Sequence, residues 1–153
     1  MSLSVEVLTG PALQAALDDL ARLRIAVFAA FPYLYDGDEA YERRYLAEFT
    51  AAPDAVLVAA REGSRIVGAA TASPLNAQDD YIHAPFAARG IDPGDVFYFG
   101  ESVLLPEYRG QGIGHAFFDA REAAARRWGA KRASFCAVVP ADNHPARPAG
   151  YVP

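Results

Sequence analysis

The chain has little that could cross-link it or bind a metal. Its single cysteine, Cys136, excludes an intramolecular disulfide, and no metal-ligand spacing surrounds it, so no metal is expected. No apolar run reaches the roughly 18 residues that cross a bilayer, so no membrane partner is expected. The opening MSLSVEVLTG lacks the basic region followed by an apolar stretch that marks a signal peptide, and a cytoplasmic location is the expectation. Basic residues are outnumbered, 14 Lys and Arg against 19 Asp and Glu, for a formal net charge of -5. No basic stripe is present to hold phosphates along a groove, which argues against nucleic acid as a partner. What remains is globular. Hydrophobic residues make up 52% and charged residues 22% of 153 residues, enough for the core of one domain, expected over residues 1–153.

Periodicity divides the chain into alternating and helical stretches. Ser4 to Leu8 alternates and reads as a strand, broken by Gly10-Pro11. Leu13, Leu17, Leu20, Leu23, Val27 and Phe28 recur at helical spacing, predicting one helix from Ala12 to Ala30 that stops before Pro32. A second helix is predicted from Glu39 to Thr50. Ala55–Arg61 and Arg65–Ser73 read as strands joined by a tight turn at Glu62-Gly63-Ser64. A long polar stretch with prolines, Pro74 to Gly94, follows, part of it helical. A link of that length is often functional. Val96–Leu105 reads as a strand, Gly112–Trp128 as a helix capped by Gly129, and Ala133–Val139 as the last strand. After Pro140 the tail is too rich in proline and glycine for regular structure. The order β-α-α-β-β-β-α-β is that of a mixed α/β (α+β) sheet with helices on its faces.

Between the strand at Val96 and the helix at Gly112 lies LLPEYRGQGIG, with glycines at alternate positions 110, 112 and 114. A helix N-terminus offers unpaired N–H groups and partial positive charge. Glycines just before it let successive N–H groups turn toward one anion, so the junction is an anion cradle. A P-loop is excluded because no Lys-Ser or Lys-Thr follows. A dinucleotide fingerprint fails in both registers, with His115 or Phe117 where the third glycine belongs.

The run VLLPEYRGQGIG resembles the acyl-coenzyme A loop of the GCN5-related N-acetyltransferase (GNAT) superfamily. That family's pattern is Q/R-x-x-G-x-G/A, and Arg109, Gly112 and Gly114 match it. The element order resembles the family's through its fifth strand. The chain ends before the family's final helix and strands.

The resemblance implies a reaction and a site. It implies acetyl-CoA as cofactor and direct transfer of acetyl to a primary amine. Pantetheine would lie where the fourth and fifth strands splay. The main chain from Val103 through Leu104 to Leu105 would pair with it. Arg109, Gly110, Gln111, Gly112, Ile113 and Gly114 would surround the pyrophosphate, and Asn143 falls where members often carry a cofactor-contacting Asn. Glu101, in phase with Val103 and Leu105, is the candidate to take the amine proton; a structural, salt-bridged acid is the competing reading. Tyr98 is a further candidate. The family's usual acid, a tyrosine on the helix after the fifth strand, has no counterpart, because Tyr151 lies in the irregular tail. The acceptor pocket would draw on FPYLYDGDEAYERRY and NAQDDYIHAPFAARGIDPGD, whose aromatic and acidic residues suit a small cationic amine. An open fifth-strand edge would invite a homodimer. Two alternatives stay open: a non-catalytic acyl-CoA-binding module of the same fold, or another nucleotide binder using the glycine turn.

Overall fold

The computed structural model describes residues 2–152. Ten elements follow one another: β1 (Leu3–Leu8), α1 (Gly10–Ala15), α2 (Leu17–Phe28), α3 (Glu39–Ala51), β2 (Val56–Glu62), β3 (Arg65–Pro74), α4 (Asp80–Ala88), β4 (Val96–Leu104), α5 (Ile113–Trp128) and β5 (Arg132–Phe135). The strands form one sheet in the order β1-β2-β3-β4-β5. Neighbours are antiparallel except β4 and β5, which are parallel and joined by the α5 crossover. Among the described residues, no helix is long and apolar enough to cross a membrane.

The central strands are buried on both faces, which is why β2 and β3 read as near-continuous apolar runs. One face receives Leu13, Leu20 and Leu23 of α1 and α2, packed on Leu57, Ala59, Ala69 and Val103. The other receives α5, whose Phe117 packs with Val58, Val67 and Ala70, and whose Ala124 and Ala125 meet Phe97 and Phe99. The ends of α5 are set by glycine. Gly112 precedes it at φ 83°, and Gly129 ends it at φ 92°, donating to the Ala125 and Arg126 carbonyls. Asp38 caps α3 by accepting from the N–H groups of Ala40 and Tyr41.

Phe99 and Val103 have the same parity along β4 yet face opposite helical layers. The reason is a bulge. Ala70 pairs with Ser102 and Ala72 with Phe99, so Gly100 and Glu101 together oppose Thr71 alone. The inserted residue reverses the phase of the strand. Phe97 and Phe99 face α5, while Glu101 and Val103 face α2 and α3.

Three boundaries differ clearly from the sequence-based expectation, and one is filled in. The predicted first helix is two, because the chain kinks at Ala16, whose N–H turns to the Leu13 carbonyl. The helical part of the long link is α4. β4 ends at Leu104, not Leu105, because the turn Pro106–Tyr108 takes over there. β5 ends at Phe135 instead of Val139, because β4 offers it no partner past Phe99.

Candidate active site

The bulge delivers Glu101 into a buried polar cluster built from four elements. Arg24 of α2 lies 3.0 Å from its Oε1. That approach is an ion pair without hydrogen-bond alignment, so Oε1 has no donor within the protein. Tyr45 of α3 donates its hydroxyl to Oε2, and Thr71 of β3 donates to the same oxygen at 3.2 Å. Arg24 also donates through Nε to Glu42 Oε1 at 2.8 Å, and Tyr35 donates to Glu42 Oε2 at 3.1 Å. The Arg24 guanidinium lies 3.8 Å over the Tyr45 ring.

Arg24 thus sits between two carboxylates. Burial lowers its affinity for a proton, but Glu101, Tyr45 and Glu42 together outweigh that and hold it above its ordinary value. Burial, and then the neighbouring Glu101 charge, push the Tyr45 phenol well up, so it remains a donor at neutral pH. Both effects keep Arg24 a cation and Tyr45 a neutral donor.

Beside this cluster the sheet opens. β4 and β5 pair from Val96 with Arg132 to Phe99 with Phe135 and then diverge, while β4 runs on to Leu104. A cavity of about 240 Å³ occupies the divergence, lined by Gly100, Glu101, Ser102, Arg121, Phe135 and Cys136 among others. The backbone phase along β4 follows from one bond. Leu105 donates to the Val67 carbonyl at 3.0 Å, so Leu105 and Val103 direct their main-chain groups at β3. Ser102 and Leu104 direct theirs toward the opening. This corrects the expectation that Val103 and Leu105 present main-chain groups to a ligand there. Leu105 is further committed, since its carbonyl accepts from Tyr108.

At the mouth of the opening lies the glycine turn. Gly110 and Gly112 have φ of 76° and 83°, a region that glycine enters without steric cost. A Cβ added at Gly110, Gly112 or Gly114 would meet nothing within 4 Å, so the space above the turn is open. Among the described residues no group accepts from the N–H groups of Gln111, Gly112, Ile113 or Gly114. Four unpaired donors at the start of a 16-residue helix are a site for a doubly charged anion. Arg109 anchors the base of the turn, donating through Nε and Nη2 to the Leu104 carbonyl at 3.2 and 3.1 Å.

The remaining candidates lie elsewhere. Tyr98 is on β4, and burial, then the neighbouring Cys136, pushes its phenol up. Asn143 is exposed in the tail and forms no side-chain hydrogen bond among the described residues. Tyr151 packs edge-on against Phe31 at 4.9 Å, outside any helix. His83 pairs with Asp80 on α4. A second cavity, about 510 Å³, lies between α2 and α3 and is lined by Arg24, Phe28, Tyr33, Tyr35, Tyr41 and Arg44 as well as Asp38. Phe28 and Tyr33 also border the first cavity, so the two share a wall.

Sequence reasoning missed Arg24, Glu42, Tyr45, Thr71 and Arg121. The signal for two of them is a cation in phase with an apolar stripe. Arg24 follows Leu20 by four positions, and Arg121 follows Phe117 by four, and each is buried.

Similarity to known proteins agrees with this geometry. A comparison with curated proteins by sequence finds no match. Solved structures share the fold at low identity. The aminoglycoside N-acetyltransferase AAC(6')-Iy, bound to the bisubstrate analog CoA-S-monomethyl-acetylneamine, superimposes with TM-score 0.65 at 14% identity, over 90% of this chain and 81% of that one. An aminoglycoside acetyltransferase, meta-AAC0020, from an uncultured soil metagenomic sample and bound to sisomicin gives 0.62 at 19% identity, over 89% and 78%. Ribosomal-protein-alanine N-acetyltransferase from Brucella melitensis biovar Abortus 2308 gives 0.58 at 15%, over 88% and 80%. The family model for acetyltransferases of the GNAT family matches residues 20–149, most of the chain. The chain belongs to the GNAT acetyltransferase family.

Proposed function

We propose that this single-domain acetyltransferase is an N-acetyltransferase that moves acetyl from acetyl-CoA directly to the primary amine of a small molecule. The observation that carries the reading is the divergence of β4 from β5 next to a turn with four unpaired N–H groups. The residues fit the cofactor. The open space over Gly110, Gly112 and Gly114 admits a pyrophosphate, and Gln111, Gly112, Ile113 and Gly114 donate to it. Arg109 adds positive charge at its edge. The outward main-chain groups of Ser102 and the N–H of Leu104 offer a strand edge to the pantetheine amides, the Leu104 carbonyl being taken by Arg109. Acetyl-CoA supplies the activated acyl group as a thioester.

The acceptor enters from the cavity between α2 and α3. Its faces are Phe28, Tyr33, Tyr35 and Tyr41, and aromatic faces attract a cationic amine. Arg24 and Arg44 line it too; the charge of Arg24 is matched by Glu42 and Glu101, and Arg44 lies 5.7 Å from the centre of the Tyr41 ring. Glu101 takes the amine proton through Oε1, the oxygen without a donor, directly or through water. Its other oxygen is fixed by Tyr45 and Thr71, so the carboxylate does not turn during proton transfer.

The test is thiol release from acetyl-CoA with a panel of small amines. Release that depends on a primary amine supports the reading. Tight coenzyme A binding without release by any amine would instead favour a binding module of the same fold.

A further inference from the structure

Arg121 is the largest of the fully buried side chains, with 1% of its surface exposed. No carboxylate among the described residues forms an ion pair with it. A guanidinium carries five N–H donors. Here three are committed: Nε to the Phe117 carbonyl at 3.2 Å, Nη1 to the Thr71 carbonyl at 3.4 Å, and Nη2 to Ser102 Oγ at 3.0 Å. Phe99 and Phe118 lie against it at 4.9 and 4.6 Å. Two donors remain free, and among the described residues Arg121 is the one cation lining the cavity where β4 leaves β5.

Burying a charge without a partner is costly, and cores avoid it. Burial lowers the Arg121 guanidinium to about 10, with the charge of Glu101 opposing the fall. The groups facing it are few. From β4 come Glu101 and the Ser102 hydroxyl, from β3 the Thr71 carbonyl, and from α5 itself the Phe117 carbonyl. Cys136, just past β5, lines the same opening, and Tyr98 of β4 neighbours Cys136. Arg24 and Arg121 together match Glu42 and Glu101 in formal charge, but both carboxylates pair directly with Arg24, so the Arg121 guanidinium is left without a direct counter-ion at the cavity wall.

Resting on the function proposed above, we infer that Arg121 is a catalytic residue that receives the negative charge of the departing coenzyme A sulfur. The amine nitrogen forms the new C–N bond, and the C–S bond breaks with its electron pair on sulfur. The amine proton goes to Glu101. The sulfur leaves as a thiolate, held beside the free N–H groups of Arg121, and is protonated by solvent on release. This gives the reaction a stabiliser for its leaving group in a chain where Tyr151, the only late tyrosine, is packed on Phe31.

The experiment compares coenzyme A with desulfo-coenzyme A by calorimetric titration from about pH 7 to about pH 9, where Arg121 stays charged. A free thiol titrates near about 8.5. A cation beside the bound sulfur lowers that value, and each unit makes the thiolate form bind about tenfold tighter. The affinity ratio of coenzyme A over desulfo-coenzyme A is therefore expected to rise about tenfold or more across the window. In Arg121→Met the rise is expected to vanish, and in Arg121→Lys to return in part, while desulfo-coenzyme A affinity stays close to wild type in both. A ratio in the wild-type protein that does not change with pH overturns the inference, however the variants fold. So does a rise that persists in Arg121→Met. If neither ligand binds the wild-type protein, the proposed function fails, and this inference fails with it.

Discussion

Glu101 is held by contacts from three elements, and each can be removed singly. Tyr45 and Thr71 share Oε2, and Arg24 balances the charge. Tyr45→Phe leaves the buried carboxylate with one donor fewer, and a loss of about 1–3 kcal/mol in urea unfolding is expected. Glu101→Gln keeps the shape and removes the proton acceptor. Turnover near neutral pH is expected to fall on the order of a hundredfold, with coenzyme A affinity little changed. The sign with pH follows from the acceptor. A protonated amine needs the base, whereas at high pH the amine is already neutral, so the deficit narrows as pH rises. A kcat profile showing normal turnover at neutral pH would leave Glu101 as the counter-ion of Arg24 alone.

At the level of elements, the bulge of β4 and the turn before α5 set the geometry. Gly100 lies against the bulge, where an added Cβ would fall 2.4 Å from Thr71 Oγ1, the atom that donates to Glu101. Gly100→Ala is expected to cost about 1–3 kcal/mol by overpacking and to reduce turnover as well, by pushing Thr71 off the carboxylate. Thermal unfolding and steady-state rates read the two effects separately. The glycine turn behaves differently, because nothing crowds it. Gly112→Asp would leave the packing intact and place a carboxylate where the cradle receives an anion, at a φ of 83° that disfavours a side chain. Loss of coenzyme A binding with an unchanged circular dichroism spectrum is the expected result. Retained affinity would remove this turn as the phosphate site.

For the whole molecule, ligand linkage and assembly are the measurable properties. A ligand that binds only the folded protein at a hundred times its Kd stabilises it by about 2.7 kcal/mol. Acetyl-CoA is expected to raise the unfolding temperature, while ATP and NAD leave it unchanged. Phe135 of β5 is 61% exposed, and Val138 and Val139 after the strand are exposed too. Among the described residues no strand pairs with β5 on the side away from β4. Two copies pairing along this edge are expected to form a dimer, read by light scattering across a dilution series. A monomer at micromolar concentration would count against it.

Local sequence alone set the order of elements along the chain, the hairpin between β2 and β3, both ends of α5 and the glycine turn before it. These rest on local causes: period two against period three and a half, turn residues at fixed offsets, and glycine where φ is positive. Arg109, Gly110, Gln111, Gly112, Ile113 and Gly114 were legible because the cradle is contiguous in the chain. The buried cluster was not. Arg24, Tyr45, Thr71, Glu101 and Arg121 come from five different elements, and no local pattern records which faces meet. The bulge is the clearest case. Strict alternation would put Glu101 on the side of Phe97 and Phe99, against α5. Only the pairing of two β4 residues with Thr71 turns it toward α2 and α3. The length of β5 was likewise decided in three dimensions, since a strand continues only as far as its neighbour stays beside it. Cys136 to Val139 have the composition of a strand, but β4 has already turned away from them.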